Sequence, residues 1–163
     1  MAFLTVTVVG CGGDTAEKKT AKILYVEWAC ATATSYVMAE VLESKLGYNE
    51  VELVPVTAAA MYEGLASGSG DAVFCSWLPV THEEYMKKVG DRVEDLGVNM
   101  EGARLGLTVP AYVTINSIKE LNDVKDKFNG KIIGIDPGAG IMGRTEKAIE
   151  DFQLDYELVE GSD

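Results

Sequence analysis

Apolar and polar positions along the chain fall into alternating blocks. Residues 22–27 (KILYVE) form an apolar run of strand length. Residues 32–46 then carry apolar or small side chains at helical spacing (Tyr36, Val37, Ala39, Val41, Leu42, Leu46), with Gly47 as the stop. Residues 51–56 read as a second strand, and Thr57 caps a helix through Met61, Tyr62 and Leu65 that ends at Gly68-Ser69-Gly70. Residues 72–76 have the length and β-enrichment of a third, buried strand, which delivers Trp77 at its carboxyl end. Leu78-Pro79 breaks the chain, and Thr81, with Glu84 three residues on, reads as the cap of a helix to about Val89. The order β-α-β-α-β-α predicts a doubly wound α/β sheet with strand order 2-1-3, whose ligands sit at the carboxyl ends of the strands.

The pattern continues less regularly. A short strand or turn is expected at 92–96 and a strand at 105–109, followed by Pro110. A charged helix spans 117–128, interrupted near Asn122-Asp123; then come a buried strand at 131–135 (KIIGI), a tight loop Asp136-Pro137-Gly138-Ala139-Gly140, a helix at 141–152 and a strand at 156–159. Ser162 and Asp163 are cap residues with no helix behind them. The expected division is 22–110 as one α/β lobe and 111–163 as an incomplete second lobe, since the latter holds too little to bury a core of its own.

Composition narrows the partners. The chain has 163 residues, 47% of them apolar, and a net charge of −12, with no basic cluster longer than Lys18-Lys19 or Lys87-Lys88. That argues against nucleic acid and against anionic membrane surfaces, and leaves a small neutral, cationic or zwitterionic ligand. Val8-Val9-Gly10-Cys11 follows an apolar stretch and resembles a bacterial lipobox, so residues 1–21 read as a partial lipoprotein signal and tether with Cys11 as the lipid anchor, although a basic leader is missing. Membrane contact is expected only through that anchor. Cys30 and Cys75 are expected as buried free thiols rather than a bridge.

Two features carry chemistry. Gly138-Ala139-Gly140-Ile141-Met142-Gly143 matches G-x-G-x-x-G after a strand and at a helix start. A nucleotide-dependent enzyme is therefore one reading, but Asp136 and Pro137 are inserted where the fingerprint turn is immediate. The free amides of a helix start suit a carboxylate as well as a phosphate. The second feature is the pair Trp28 and Trp77, each after a strand and on neighbouring strands in the predicted order. Two indoles facing each other across a gap suit a quaternary ammonium; the plain alternative is that both pack inward. Catalytic signals are thin: Ser76 lacks a nucleophile elbow, one histidine cannot build a histidine-based zinc site, and no cofactor is implied.

Taken together, YVEWACATAT, AAAMYEGLASG, SWLPVTHEEY, DLGVNMEGARLGLTVPAYV, INSIKEL and GKIIGIDPGAGIM resemble the substrate-binding proteins of glycine betaine, proline betaine, carnitine and choline ABC transporters, over nearly all of residues 22–163. The resemblance implies a non-enzymatic receptor of periplasmic-binding-protein type II fold, two lobes closing on the ligand. It implies that Trp28 and Trp77 wall a trimethylammonium cage, and that the amides of Gly140 and Ile141, helped by His82, take the ligand carboxylate. It also implies an extracytoplasmic location, and a membrane permease with its ATPase as partner. Family cages commonly use a third aromatic, which no tryptophan after Trp77 supplies. Ala29-Cys30-Ala31 stands where many relatives carry polar or acidic residues, a difference that bears on which betaine is preferred.

Overall fold

The computed structural model of the chain describes residues 18–161. Strand β1 (Thr20–Tyr25) pairs in parallel with β2 (Glu50–Pro55), in register from Thr20 opposite Glu50 to Tyr25 opposite Pro55. Helix α1 (Ala29–Leu46) makes the crossover. Its buried stripe is Ala31, Ser35 and Ala39, four residues apart, so small side chains bring the helix onto the sheet. The larger apolar residues expected on that face, Tyr36, Val37 and Leu46, are exposed instead. Gly47 ends the helix at φ 72°, with its N–H returned to the Leu42 carbonyl, the left-handed stop expected of it.

Helix α2 (Ala58–Ser67) starts at Thr57, whose hydroxyl accepts from the Ala60 N–H. After it the chain reaches β1 on the side away from β2. There the Leu24 N–H donates to Ala72 and the Asp71 N–H to Lys22, which gives the 2-1-3 order. The predicted third strand is reduced to that single bridge. Beyond Ala72 the segment leaves the ladder, and the Phe74 carbonyl accepts from the Asn99 side chain instead of a strand. Helix α3 (Glu83–Val89) begins one residue later than expected, with His82 rather than Thr81 at the cap position.

No strand forms at 92–96 or 105–109, where no neighbouring strand offers hydrogen bonds; Leu107 and Val109 pack as loop residues. The charged helix is a 3-10 segment, Ile118–Phe128, kinked at Val124. Its break has a cause: the Asn122 side chain donates to the Gln153 carbonyl and accepts from the Asp155 N–H, pulling that turn toward the chain before the last strand. β3 (Lys131–Ile133) and β4 (Glu157–Val159) form a second parallel pair joined by α4 (Gly140–Asp151).

The main core is continuous across both sheets. Leu24, Tyr25, Trp28, Met61, Tyr62 and Cys75 from the first unit share it with Ala139 and Met142 from the second. A smaller cluster of Leu121, Leu154 and Tyr156 lies under the 3-10 segment, where the Tyr156 hydroxyl donates to the Leu121 carbonyl. Cys75 is buried and free as expected; Cys30 is free but exposed, because position 30 lies on the outward side of the first α1 turn. Among the described residues no helix is long and apolar enough to cross a membrane. Cys11 lies outside the described residues, as does the expected tether up to residue 17; Thr20 and Ala21, expected in the tether, instead begin β1 because they pair with Glu50 and Val51.

Ile23 is fully buried in the centre of β1. Ile23→Ala is expected to cost about 3 kcal/mol in unfolding free energy, read from urea denaturation, within the range for emptying a packed site.

Candidate functional site

Residues 77–82 close on themselves through two reciprocal bonds. The His82 N–H donates to the Trp77 carbonyl at 3.0 Å, and the Trp77 N–H donates to His82 Nδ1, also at 3.0 Å. The five-residue spacing is what lets a backbone amide reach the ring of the residue that bonds it in return. The chemical consequence concerns the tautomer. With Nδ1 used as an acceptor, the neutral imidazole carries its proton on Nε2. The ring is fully buried, and burial lowers its pKa to about 4, so it is neutral at pH 7. His82 Nε2 therefore presents a donor, and it has no partner among the described residues. An orphaned buried donor costs about 1–3 kcal/mol, so this one asks for an acceptor from outside the chain.

Aromatic rings surround it. Trp28 and Trp77 stack with centroids 4.5 Å apart at 25°. Trp77 lies nearly parallel to His82 at 5.3 Å, and Tyr62 meets His82 edge-on at 5.4 Å. Tyr85 stacks on Tyr62 at 5.2 Å. The Tyr62 hydroxyl shares a 2.6 Å bond with Ser76, and burial pushes its pKa up to about 12, so it stays protonated. Trp28 is 7% exposed and its Nε1–H also lacks a partner among the described residues, whereas Trp77 is only partly buried.

The two indoles are thus adjacent, as strand order predicted, but no gap separates them. Rings sandwiching a trimethylammonium stand at least roughly 8 Å apart, twice a carbon contact of about 4 Å. The physical reason for contact is that two large apolar faces at neighbouring strand ends gain by covering each other, in the offset geometry aromatic pairs favour.

The second half of the site is the start of α4. Ala139 is its cap residue and provides no side-chain bond. The Met142 N–H turns back to the Ala139 carbonyl, while the amides of Gly140 and Ile141 have no acceptor among the described residues. Gly140 abuts Thr81: a β-carbon there would overlap the Thr81 carbonyl oxygen, so only glycine allows the approach. The free amides therefore sit beside the residue preceding His82. Tyr85 donates to the Gly138 carbonyl at 2.6 Å, and Arg144 donates to the Val80 carbonyl at 2.6 Å and to Glu83 at 2.7 Å. The fold thus joins Trp28, Trp77 and His82 in one aromatic cluster and sets Gly140, with Ile141 after it, against the same loop at Thr81. The G-x-G-x-x-G spacing serves close packing at its second glycine, and Asp136 caps the inserted turn by accepting from the Gly138 N–H.

Sequence reading missed Tyr62, Tyr85, Thr81 and Arg144. Two of these carried a signal in their spacing: Tyr85 follows His82 by three residues on one helix, and Arg144 follows Gly140 by four, so each shares a helix face with a predicted residue.

The histidine makes stability pH-dependent. An unfolded histidine takes up its proton near pH 6.5 and the buried ring only near 4, so the unfolded state binds more protons between those values and stability falls as pH falls through them. The expected loss is at most about 3 kcal/mol at the acid end. His82→Asn, which keeps an acceptor for the Trp77 N–H, is expected to flatten that slope in urea titrations at pH 7, 5.5 and 4.5. An unaltered slope would assign the effect to carboxylates alone.

Comparison with known proteins bears on the whole chain. Residues 19–163 match the family model of the substrate binding domain of ABC-type glycine betaine transport systems. The glycine betaine/carnitine transport binding protein GbuC of Listeria monocytogenes is 37% identical over 105 residues, covering 64% of this chain and 34% of its own. The crystal structure of the glycine betaine/L-proline-binding protein ProX of Borrelia burgdorferi superposes with a TM-score of 0.82 at 44% identity, over 88% of this chain and 54% of that one. Lactococcal OpuAC, in its closed conformation with glycine betaine, superposes with a TM-score of 0.82 at 32% identity, over 88% and 56%. The chain spans about half the length of these solved relatives. The likeness assigns the α/β architecture to the two-lobed periplasmic-binding-protein fold, and nothing in it supports a nucleotide-dependent enzyme. The chain belongs to the family of substrate-binding domains of ABC-type glycine betaine transport systems.

Proposed function

We propose that this chain acts in an extracytoplasmic receptor that captures glycine betaine, or a related quaternary-ammonium solute, and hands it to the permease of an ABC importer and its ATPase. The observation that carries the reading is the unpartnered His82 Nε2–H, buried beside both tryptophan rings on a loop whose Thr81 carbonyl abuts Gly140, where α4 begins with amides that have no acceptor among the described residues. A zwitterion answers both needs. Its carboxylate accepts from the imidazole and the helix start, where charge-assisted bonds are the strong ones. Its trimethylammonium replaces the contact between Trp28 and Trp77, which stack at 4.5 Å.

Magnitudes favour that exchange. An aromatic pair is worth about 0.5–1.5 kcal/mol beyond its area, and each desolvated cation–π contact about 2 kcal/mol. Inserting the head group between the indoles therefore trades one stacking contact for two stronger ones, and ligand binding favours whichever arrangement of the rings and lobes holds both ends. Cys11 as lipid anchor, a tether that ends before β1 starts at Thr20, and a division between the lobes near residue 110 complete the proposal.

Glycine betaine titrated into the full-length protein is expected to change tryptophan fluorescence, with NAD and ATP silent; a response to the nucleotides alone would reinstate the enzyme reading. Trp77→Ala is expected to remove most of the affinity, and unchanged binding would take Trp77 out of the site. His82→Ala is expected to weaken glycine betaine while sparing choline, which has no carboxylate. Equal losses for both ligands would contradict a carboxylate role for His82.

A further inference from the structure

The groups proposed to hold the two ends of the ligand lie far apart in sequence. Trp28, Trp77 and His82 come from the first sheet and its loops, Gly140 and Ile141 from the helix between β3 and β4. Something must fix the distance between them, because a zwitterion has a set length and a loose pocket grips only one end at a time.

Two side chains outside the predicted ligand set span this junction: Arg144, and Tyr85, whose ring also meets His82 edge-on at 5.9 Å. Arg144 lies one turn into α4 from Gly140. One of its terminal nitrogens reaches the Val80 carbonyl at 2.6 Å, inside the closed loop 77–82, and the Glu83 carboxylate at 2.7 Å, at the first position of α3. Tyr85, on the same first turn of α3, donates to the Gly138 carbonyl at 2.6 Å, two residues before the free amides. The two bonds run in opposite directions, one from α4 to the His82 loop and one from α3 to the α4 loop, with the Gly140–Thr81 contact between them. Together they leave the junction little freedom to slide or pivot.

We propose that Arg144 and Tyr85 are positioning residues, which hold the anion-binding helix start at the distance from the His82 and tryptophan rings that a betaine requires. The plain alternative is a partly exposed surface ion pair, which contributes little to stability and nothing selective to binding. Glu83 is held below the usual carboxylate range first by its bond to Arg144 and then by Lys87, so it stays charged across neutral pH.

The two readings differ in what they do to ligands of different length. The proposal rests on the betaine reading above, and the test uses glycine betaine alongside tetramethylammonium, which has the cationic head and no carboxylate. In calorimetric titrations Arg144→Ala is expected to weaken glycine betaine roughly five- to tenfold and to leave tetramethylammonium within about twofold. Arg144→Lys is expected to recover part of the loss. Tyr85→Phe, which keeps the ring on Tyr62, is expected to act in the same direction by about threefold. Thermal midpoints measured on the same samples separate misfolding from repositioning. Equal losses for both ligands, or an unchanged glycine betaine affinity in both variants, would overturn the positioning role while leaving the betaine reading standing. Failure of the unmodified protein to bind glycine betaine would overturn the functional reading itself.

Discussion

The loop from Trp77 to His82, closed by its two reciprocal bonds, is the constraint on which the rest of the site depends. One bond sets the backbone turn and the other sets the imidazole. Because the ring accepts through Nδ1, its other nitrogen must donate, and because the ring is buried it donates without carrying charge. Loop closure also presents the Val80 and Thr81 carbonyls on the side where α4 begins, which gives Arg144 something to bond and Gly140 something to meet. Removing the reciprocity would free the imidazole, the carbonyls and the helix contact together.

The junction with α4 is built by omission as much as by contact. Only the absent side chain at Gly140 lets the helix start come against Thr81, and the same approach keeps its amides free of internal acceptors. A capping serine or aspartate would have satisfied one of those amides and closed the anion site; Ala139 stands at that position and cannot. The local rules for a stable helix start are set aside at this terminus, whereas Thr57 follows them at α2, which has no site to serve.

Much of this was legible in the sequence, for identifiable reasons. The first two strands, the Thr57 cap and the Gly47 stop are local signals that reappear in the fold, with the strands two residues and one residue earlier than the apolar runs at 22–27 and 51–56. The adjacency of Trp28 and Trp77 followed from strand order alone. The shortness of the third strand did not, since residues 73–76 are apolar enough for a strand and only the absence of further ladder bonds beyond Ala72 says otherwise. The buried face of α1 was misjudged because the stripe that matters is made of alanine and serine, which hydrophobicity weights lightly. The stacked indoles were equally out of reach: spacing can place two rings on neighbouring strand ends but cannot say whether they touch.

The charge of the chain bears on the form of the proposed anion site. A net charge of −12 attracts a cationic head at long range and repels a carboxylate. Salt screens such fields beyond about 8 Å, so capture of the carboxylate has to be decided at contact. A buried lysine or arginine would do it at a desolvation cost of several kcal/mol, and its positive charge would stand close to the site of the trimethylammonium. Neutral donors avoid both penalties. The imidazole Nε2–H and the two backbone amides each bring a dipole rather than a charge, and the one arginine nearby is turned outward onto Val80 and Glu83. In the proposed reading, a ligand with both signs and no net charge would be met by ring faces at one end and dipoles at the other, and that balance would hold only while His82 stays uncharged.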